Sequence, residues 1–154
     1  MPETYGYFYI ECGDADPDTI STMLGIAPSE VYRKGDPHRR FKDRYRTCGG
    51  WKLLSPLARD RYFLHEHLEA LADILLPAAE KIRSMPEAFV RGINCVGYYT
   101  RENPGFHLSR ELQRKLSQLD LEIDFDEYLL CDMEAPWEHV IKDVQMPNCS
   151  ASTP

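Results

Sequence analysis

Three carboxylates recur at alternate positions in Leu121-Glu122-Ile123-Asp124-Phe125-Asp126, and Glu127 and Asp132 follow closely. In an extended strand, residues two apart share a face, so Glu122, Asp124 and Asp126 would form one row. Like charges so placed repel, and the row asks for a partner. Three readings stay open. The row is a docking surface for a basic protein, imitating a phosphate backbone; or a charged edge that prevents strand-to-strand aggregation; or the internal complement of the basic segment 33–46. That segment (RKGDPHRRFKDRYR) holds seven basic residues against two acidic ones. Arg39, Arg40, Lys42, Arg44 and Arg46 alternate there with Phe41 and Tyr45, a mixture that can hold phosphates and stack bases. A flexible loop that orders on a protein partner is an equal reading of the same residues.

Other groups of chemical interest carry less. His65-Glu66-His67 suggests a metal site, but two imidazoles two residues apart on a helix point to different sides, whereas zinc-binding helices space them by four. Asp14, Asp16 and Asp18 are spaced like the start of a calcium loop. Pro17 and the missing downstream Gly and Glu contradict that, and helix capping accounts for the carboxylates. Cys12, Cys48, Cys95, Cys131 and Cys149 form no CxxC pair, and their odd number reads as free, mostly buried thiols. Cys12 or Cys48 with His38 or His107 has no recognisable local signature. Neither Ser55 nor Ser109 sits in a nucleophile elbow, and no phosphate-cradling glycine loop is present. These observations predict a non-enzymatic protein with no metal and no cofactor.

Charge is sorted along the chain. Residues 1–32 carry six carboxylates and no Lys or Arg, while residues 119–143 carry nine acidic residues and one basic. The net charge of -7 argues against general binding to nucleic acid or anionic membranes. No apolar run approaches the roughly 20 residues of a membrane span. The first residues lack a basic stretch ahead of their apolar ones, so a secretory signal is not expected and the cytoplasm is the expected compartment. At 154 residues the chain is expected to hold one domain, residues 1–131, followed by a partly disordered extension, 132–154.

The elements that must position these residues follow from periodicity. Residues 5–12 read as a strand, Pro17–Leu24 as a short helix capped by Asp16 and stopped by Gly25, 29–34 as a second strand and 51–54 as a third. Leu64, Leu68, Leu71, Leu75, Ala78 and Ile82 trace one face of a helix over roughly 59–84, with a kink or a break near Ile74 imposed by Pro77. A strand over 88–99, a helix over 108–119 capped by Ser109, and a strand over 121–126 complete the order β-α-β-β-α-β-α-β. The fold class is therefore α+β: a two-layer sandwich with a mostly antiparallel sheet and helices on one face. Its core is the ferredoxin-like β-α-β-β-α-β unit, extended by a further α-β.

The landmarks Gly13-Asp14, Leu24-Gly25-Ile26-Ala27-Pro28, Lys34-Gly35-Asp36 and Trp51, in that order, resemble a bacterial domain-of-unknown-function family over roughly residues 5–130. The resemblance implies a small α+β domain without established enzyme activity, some of whose members are candidate immunity proteins of polymorphic-toxin systems. The functional expectation is a protein that neutralises a basic toxin domain by occluding its active site. Glu122, Asp124, Asp126, Glu127, Asp132 and Trp137 would form the contact surface, with Tyr98 and Tyr99 as further anchors. The alternative is a nucleic-acid- or nucleotide-associated module using Arg39, Arg40, Lys42, Arg44 and Arg46.

Overall fold

The computed structural model describes residues 3–130; the expected extension at 132–154 lies outside the described residues. Its elements are β1 (Glu3–Gly13), α1 (Asp18–Leu24), β2 (Glu30–Tyr32), β3 (Gly49–Leu54), α2 (Leu64–Leu75), a 3-10 turn (Leu76–Ala78), α3 (Ala79–Arg83), β4 (Val90–Tyr99), α4 (Arg110–Leu119) and β5 (Glu122–Leu129). The strands form one sheet in the order β2-β3-β1-β4-β5. All neighbours are antiparallel except β4 and β5, which run parallel and are joined through α4. The first four strands thus take the ferredoxin-like order expected from the sequence, and β5 adds an edge.

Alternation on β1 divides the protein into layers. Phe8, Ile10 and Cys12 face the helices and are buried with Leu64, Leu68, Leu71 and Leu75 of α2, Ile93 and Cys95 of β4, and Leu112 and Leu119 of α4. Trp51 on β3 is fully buried, meets Phe8 edge-on at 5.9 Å, and donates its indole N–H to Ser21 Oγ of α1 at 2.9 Å. The capping signals act as expected. Asp16 Oδ1 accepts the Asp18 amide at 3.0 Å, Gly25 closes α1 at φ 70, and Ser109 accepts the Leu112 amide.

The long helix starts later than expected and breaks close to where expected. It starts at Leu64 rather than near 59, because carbonyls ahead of it are taken by the sheet: Arg59 O accepts the Thr4 amide at 2.7 Å, Arg61 O accepts the Thr4 hydroxyl, and Tyr62 O accepts the Tyr99 hydroxyl. Pro77 interrupts it over Leu76–Ala78, just after the expected kink. The segment between β2 and β3 is not a loose loop. Its two arms pair through Gly35 N to Arg46 O (2.8 Å), Arg46 N to Asp36 O (2.7 Å) and His38 N to Arg44 O (2.7 Å).

Gly50 is required on β3 because the Tyr32 ring lies flat over it; a Cβ there would stand 2.1 Å from Tyr32 Cζ. Arg46 stacks on that ring, 3.9 Å from its centroid, and helps hold it in place. Gly50→Ala is expected to destabilise the fold by about 1–3 kcal/mol, the usual cost of overpacking, read as a lower urea midpoint with an unchanged slope.

Candidate functional site

Among the described residues one face of the sheet carries no helix, and this helix-free face holds the charge and most of the tyrosine. Tyr5, Tyr7, Tyr9 and Glu11 of β1 alternate with the core residues and so point to this side. The strand registers align with them Lys52 and Leu54 of β3, Glu30 and Tyr32 of β2, Asn94, Val96 and Tyr98 of β4, and Asp124, Asp126 and Tyr128 of β5. Tyr7, Val96 and Tyr98 form a second buried cluster, flanked by Tyr5, Tyr9 and Tyr128. Stacked pairs extend it: Tyr5 on Tyr7 at 6.3 Å and Tyr98 on Tyr128 at 5.1 Å. Burial pushes the Tyr32 hydroxyl up to about 12 and also raises those of Tyr7 and Tyr98, so all three stay neutral hydrogen-bonding groups at ordinary pH.

At the β2/β3 end of this face, the paired 33–46 excursion closes a cleft of about 310 Å³. Arg39, Arg40 and Arg46 come from the excursion, Lys52 from β3 and Arg59 from the segment ahead of α2, while Tyr5 and Tyr7 form part of the wall. The rings hold the cations. Arg59 lies 4.6 Å from the Tyr5 centroid, and the Lys52 ammonium stands 5.1 Å from Tyr7 and 5.7 Å from Tyr32. Lys52 is only 7% exposed, and desolvation lowers its pKa, opposed by Glu30. His38, also in the wall, has its pKa lowered by desolvation and then by Arg46, Arg40 and Arg44. Glu30 faces Arg46 at 3.7 Å, Glu3 faces Arg59 at 2.7 Å, and the Glu11 carboxylate also acts on Lys52.

The acidic row lies at the opposite edge. Glu122, Asp124 and Asp126 share the helix-free side of β5, as expected, and Asp126 accepts from Asn94 Nδ2 at 3.0 Å. Glu127 does not join them. It alternates to the other side of the strand, where its carboxylate accepts from Asn103 Nδ2. Asp132 and Trp137 lie outside the described residues. Tyr98 and Tyr99 are 4% and 1% exposed, which removes them as interface anchors. The basic segment does not complement the acidic row, because β3, β1 and β4 separate β2 from β5.

Of the basic residues, the structure brings Arg39, Arg40 and Arg46 into the cleft and leaves Lys42 and Arg44 out of its lining. Arg44 packs instead on Phe41 at 5.1 Å. Arg33 and Lys34 turn to the first turn of α1: Arg33 pairs with Asp16 and Asp18, and Lys34 with Asp14 at 2.7 Å. That pairing accounts for the carboxylates that resembled a calcium loop. Sequence reasoning missed Lys52 and Arg59, which only the sheet registers and the path into α2 bring to the cleft. The one available signal was a lysine inside the otherwise apolar strand Gly49–Leu54.

The remaining candidates resolve into structure. No cluster of His, Cys, Asp and Glu able to hold a metal occurs among the described residues. Cys12 and Cys95 are free and buried, and burial pushes the Cys95 thiol up to about 12, an inert state. Cys48 departs from the expectation of a free thiol, for it is disulfide-bonded. His65 stays at the surface beside Phe63 and His107. His67 is fully buried, with Nε2 3.0 Å from Thr4 Oγ1 and Nδ1 3.0 Å from Ser55 Oγ. Because the Thr4 hydroxyl donates to Arg61 O, its oxygen accepts from Nε2–H; Ser55 then donates to Nδ1. The ring is neutral and saturated, with no lone pair left for a metal.

A family model described as a domain of unknown function (DUF4279) matches residues 2–130, and the chain belongs to that family. No curated protein and no solved structure matches it. Among the described residues, no helix is long and apolar enough to cross a membrane.

Desolvation lowers the His67 pKa, with Glu66 opposing the shift and Arg61 adding to it. The unfolded chain therefore binds a proton near pH 6.5 that the folded chain refuses. The stability linked to this residue is complete above pH 6.5 and is lost as pH falls below it. His67→Gln, which keeps hydrogen-bonding capacity without titrating, is expected to flatten the fall in melting temperature between pH 7 and pH 5. An equally steep fall in the variant would contradict the assignment.

Proposed function

We propose that this chain is a non-catalytic, immunity-type protein of bacterial cells that neutralises a cognate toxin by seating its acidic edge in the toxin's basic active cleft. One observation supports the reading: Glu122 and Asp124 stand with Asp126 on one side of an edge strand, and neither Glu122 nor Asp124 has an ion-pair partner among the described residues. Residues two apart on a strand are spaced about 6.7 Å apart, so the carboxylates form an even row on a rigid support. Such a row speeds encounter with a basic surface and penalises acidic competitors. The partner is a basic protein domain, and no cofactor is involved. The cytoplasm remains the compartment proposed from the sequence, although the disulfide at Cys48 weighs against it, since such bonds are rare there.

The test is a comparison of two tagged baits in native lysate at low salt: the natural chain and the Glu122→Lys/Asp124→Lys double variant. Asp126 is left in place because it holds Asn94. The natural chain is expected to retain one stoichiometric basic protein that salt releases, and the variant to retain at least tenfold less with an unchanged melting temperature. A partner held equally by both baits sinks the acidic-edge mechanism.

A further inference from the structure

The middle of the helix-free face is sealed from water, although among the described residues no helix or strand lies over it. Tyr7, Val96 and Tyr98 are each 4% exposed there. Tyr5, Tyr9 and Tyr128 stand beside them on the same pleated surface and shield their sides. The outward ends of side chains on a sheet are sealed by something laid across them. The 33–46 excursion stands over the β2/β3 end, whereas Val96 and Tyr98 are on β4. Tyr7, Glu11, Arg40 and Lys52, which face this side, each have a further partner as well. A second observation is covalent. Cys48 is disulfide-bonded, while Cys12 and Cys95 are free and buried. The other cysteines of the sequence are Cys131 and Cys149.

Reach decides between these two. Leu130 donates its amide to Tyr99 O at 2.6 Å, beside Tyr98, which pairs with Glu3 at the start of β1. Cys48 precedes Gly49, which pairs with Gly13 at the end of β1. The two points stand at opposite ends of an 11-residue strand, about 33 Å apart at the usual rise. Three strand spacings, about 14 Å, also separate β5 from β3. A disulfide needs its Cα atoms within about 7 Å. Cys131 follows Leu130 directly, so its Cα lies about 3.8 Å on and falls far short. Cys149 is 19 residues beyond Leu130, a length that spans up to about 63 Å when extended. Helices α2 and α4 fill the other face of the sheet, and Leu130 packs with the Tyr7, Val96 and Tyr98 cluster, so the chain leaves β5 on the helix-free side. We propose that Cys48 is bonded to Cys149 and that residues 131–148 strap the helix-free face diagonally, laying Trp137, Val140 and Ile141 over the tyrosine cluster. These are apolar residues near the middle of the strap, and covering the rings removes apolar surface of both from water. Closing the bond takes two electrons and two protons from the two thiols, and a low-molecular-weight disulfide such as oxidised glutathione accepts them as two thiols. The diagonal runs from the Leu130 end of β5 to the far end of β3 and leaves the corner with Glu122 and Asp124 uncovered. The strap is therefore independent of the acidic-edge reading.

The experiment is mass-spectrometric peptide mapping of the full chain, equilibrated in a glutathione redox buffer, alkylated without reduction and digested with trypsin. Cleavage after Lys142 parts Cys131 from Cys149, so the two pairings give different linked peptides. A peptide pair joining Cys48 to Cys149, from protein of monomer mass, is expected. Cys48 joined to Cys131, joined to a second copy, or recovered as a free thiol overturns the pairing. The cover is read separately, as the rate at which tetranitromethane nitrates Tyr98. Trp137→Asp/Ile141→Asp is expected to raise that rate at least tenfold. Circular dichroism checks that the variant is folded, and Cys149→Ser, which unties the strap and is expected to act in the same direction, replaces it if it is not. Nitration of Tyr98 at the same rate in the folded variant and the natural chain overturns the strap.

Discussion

The buried His67 ties together parts of the protein that would otherwise be independent. Through Thr4 and Ser55 it joins the start of β1, the exit from β3 and the first turns of α2. The polar chain is closed at both ends: the Leu57 amide donates to Ser55 Oγ, and the Thr4 hydroxyl donates to Arg61 O. A buried polar chain so completed specifies one arrangement, because any slip strands a donor or acceptor away from water. Gly6 belongs to the same device. A Cβ there would stand 3.1 Å from the Cβ of His67, so the missing side chain lets α2 settle against β1.

That junction on the helix side governs the cleft on the other. Thr4 holds the carbonyls of Arg59 and Arg61, and this fixes the course of the segment between β3 and α2. Arg59 leaves that segment over Tyr5, the next residue along β1, which points to the opposite face. Because strand side chains alternate, a one-residue slip of β1 would carry Thr4, Gly6 and Phe8 out of the core and Tyr5 and Tyr7 into it. The two faces of β1 therefore specify each other, and the geometry beneath Arg59 and Lys52 is inherited from core packing.

Much of this was legible in the sequence where short-range periodicity decides. The alternation of 121–126 gave the shared side of Glu122, Asp124 and Asp126, and the order of elements gave the ferredoxin-like sheet. Illegibility begins where a residue's fate depends on a distant partner. Residues 59–63 satisfy no rule against helix, yet sheet donors claim three of their carbonyls. Glu127 looked like part of the acidic row, but alternation turns it to the other side. The run 33–46 looked like one basic patch. The structure parts it three ways: Arg33 and Lys34 to the helix α1 carboxylates, Arg39, Arg40 and Arg46 to the cleft, and Arg44 to Phe41.

The sheet order also explains how one small face supports opposite charges without their cancelling. Strands β1 and β4 stand between Lys52 on β3 and the carboxylates on β5, and the middle of the face is filled by Tyr7, Val96 and Tyr98 rather than by ions. Exposed charges separated by more than about 8 Å are largely screened at physiological salt, so neither end stabilises the other appreciably. Local neutralisation treats the two ends differently: Glu30 and Glu3 temper the cations, whereas Glu122 and Asp124 have no ion-pair partner among the described residues. The face thus holds two separate electrostatic surfaces on one rigid support, a concave basic one and a strand edge that is acidic.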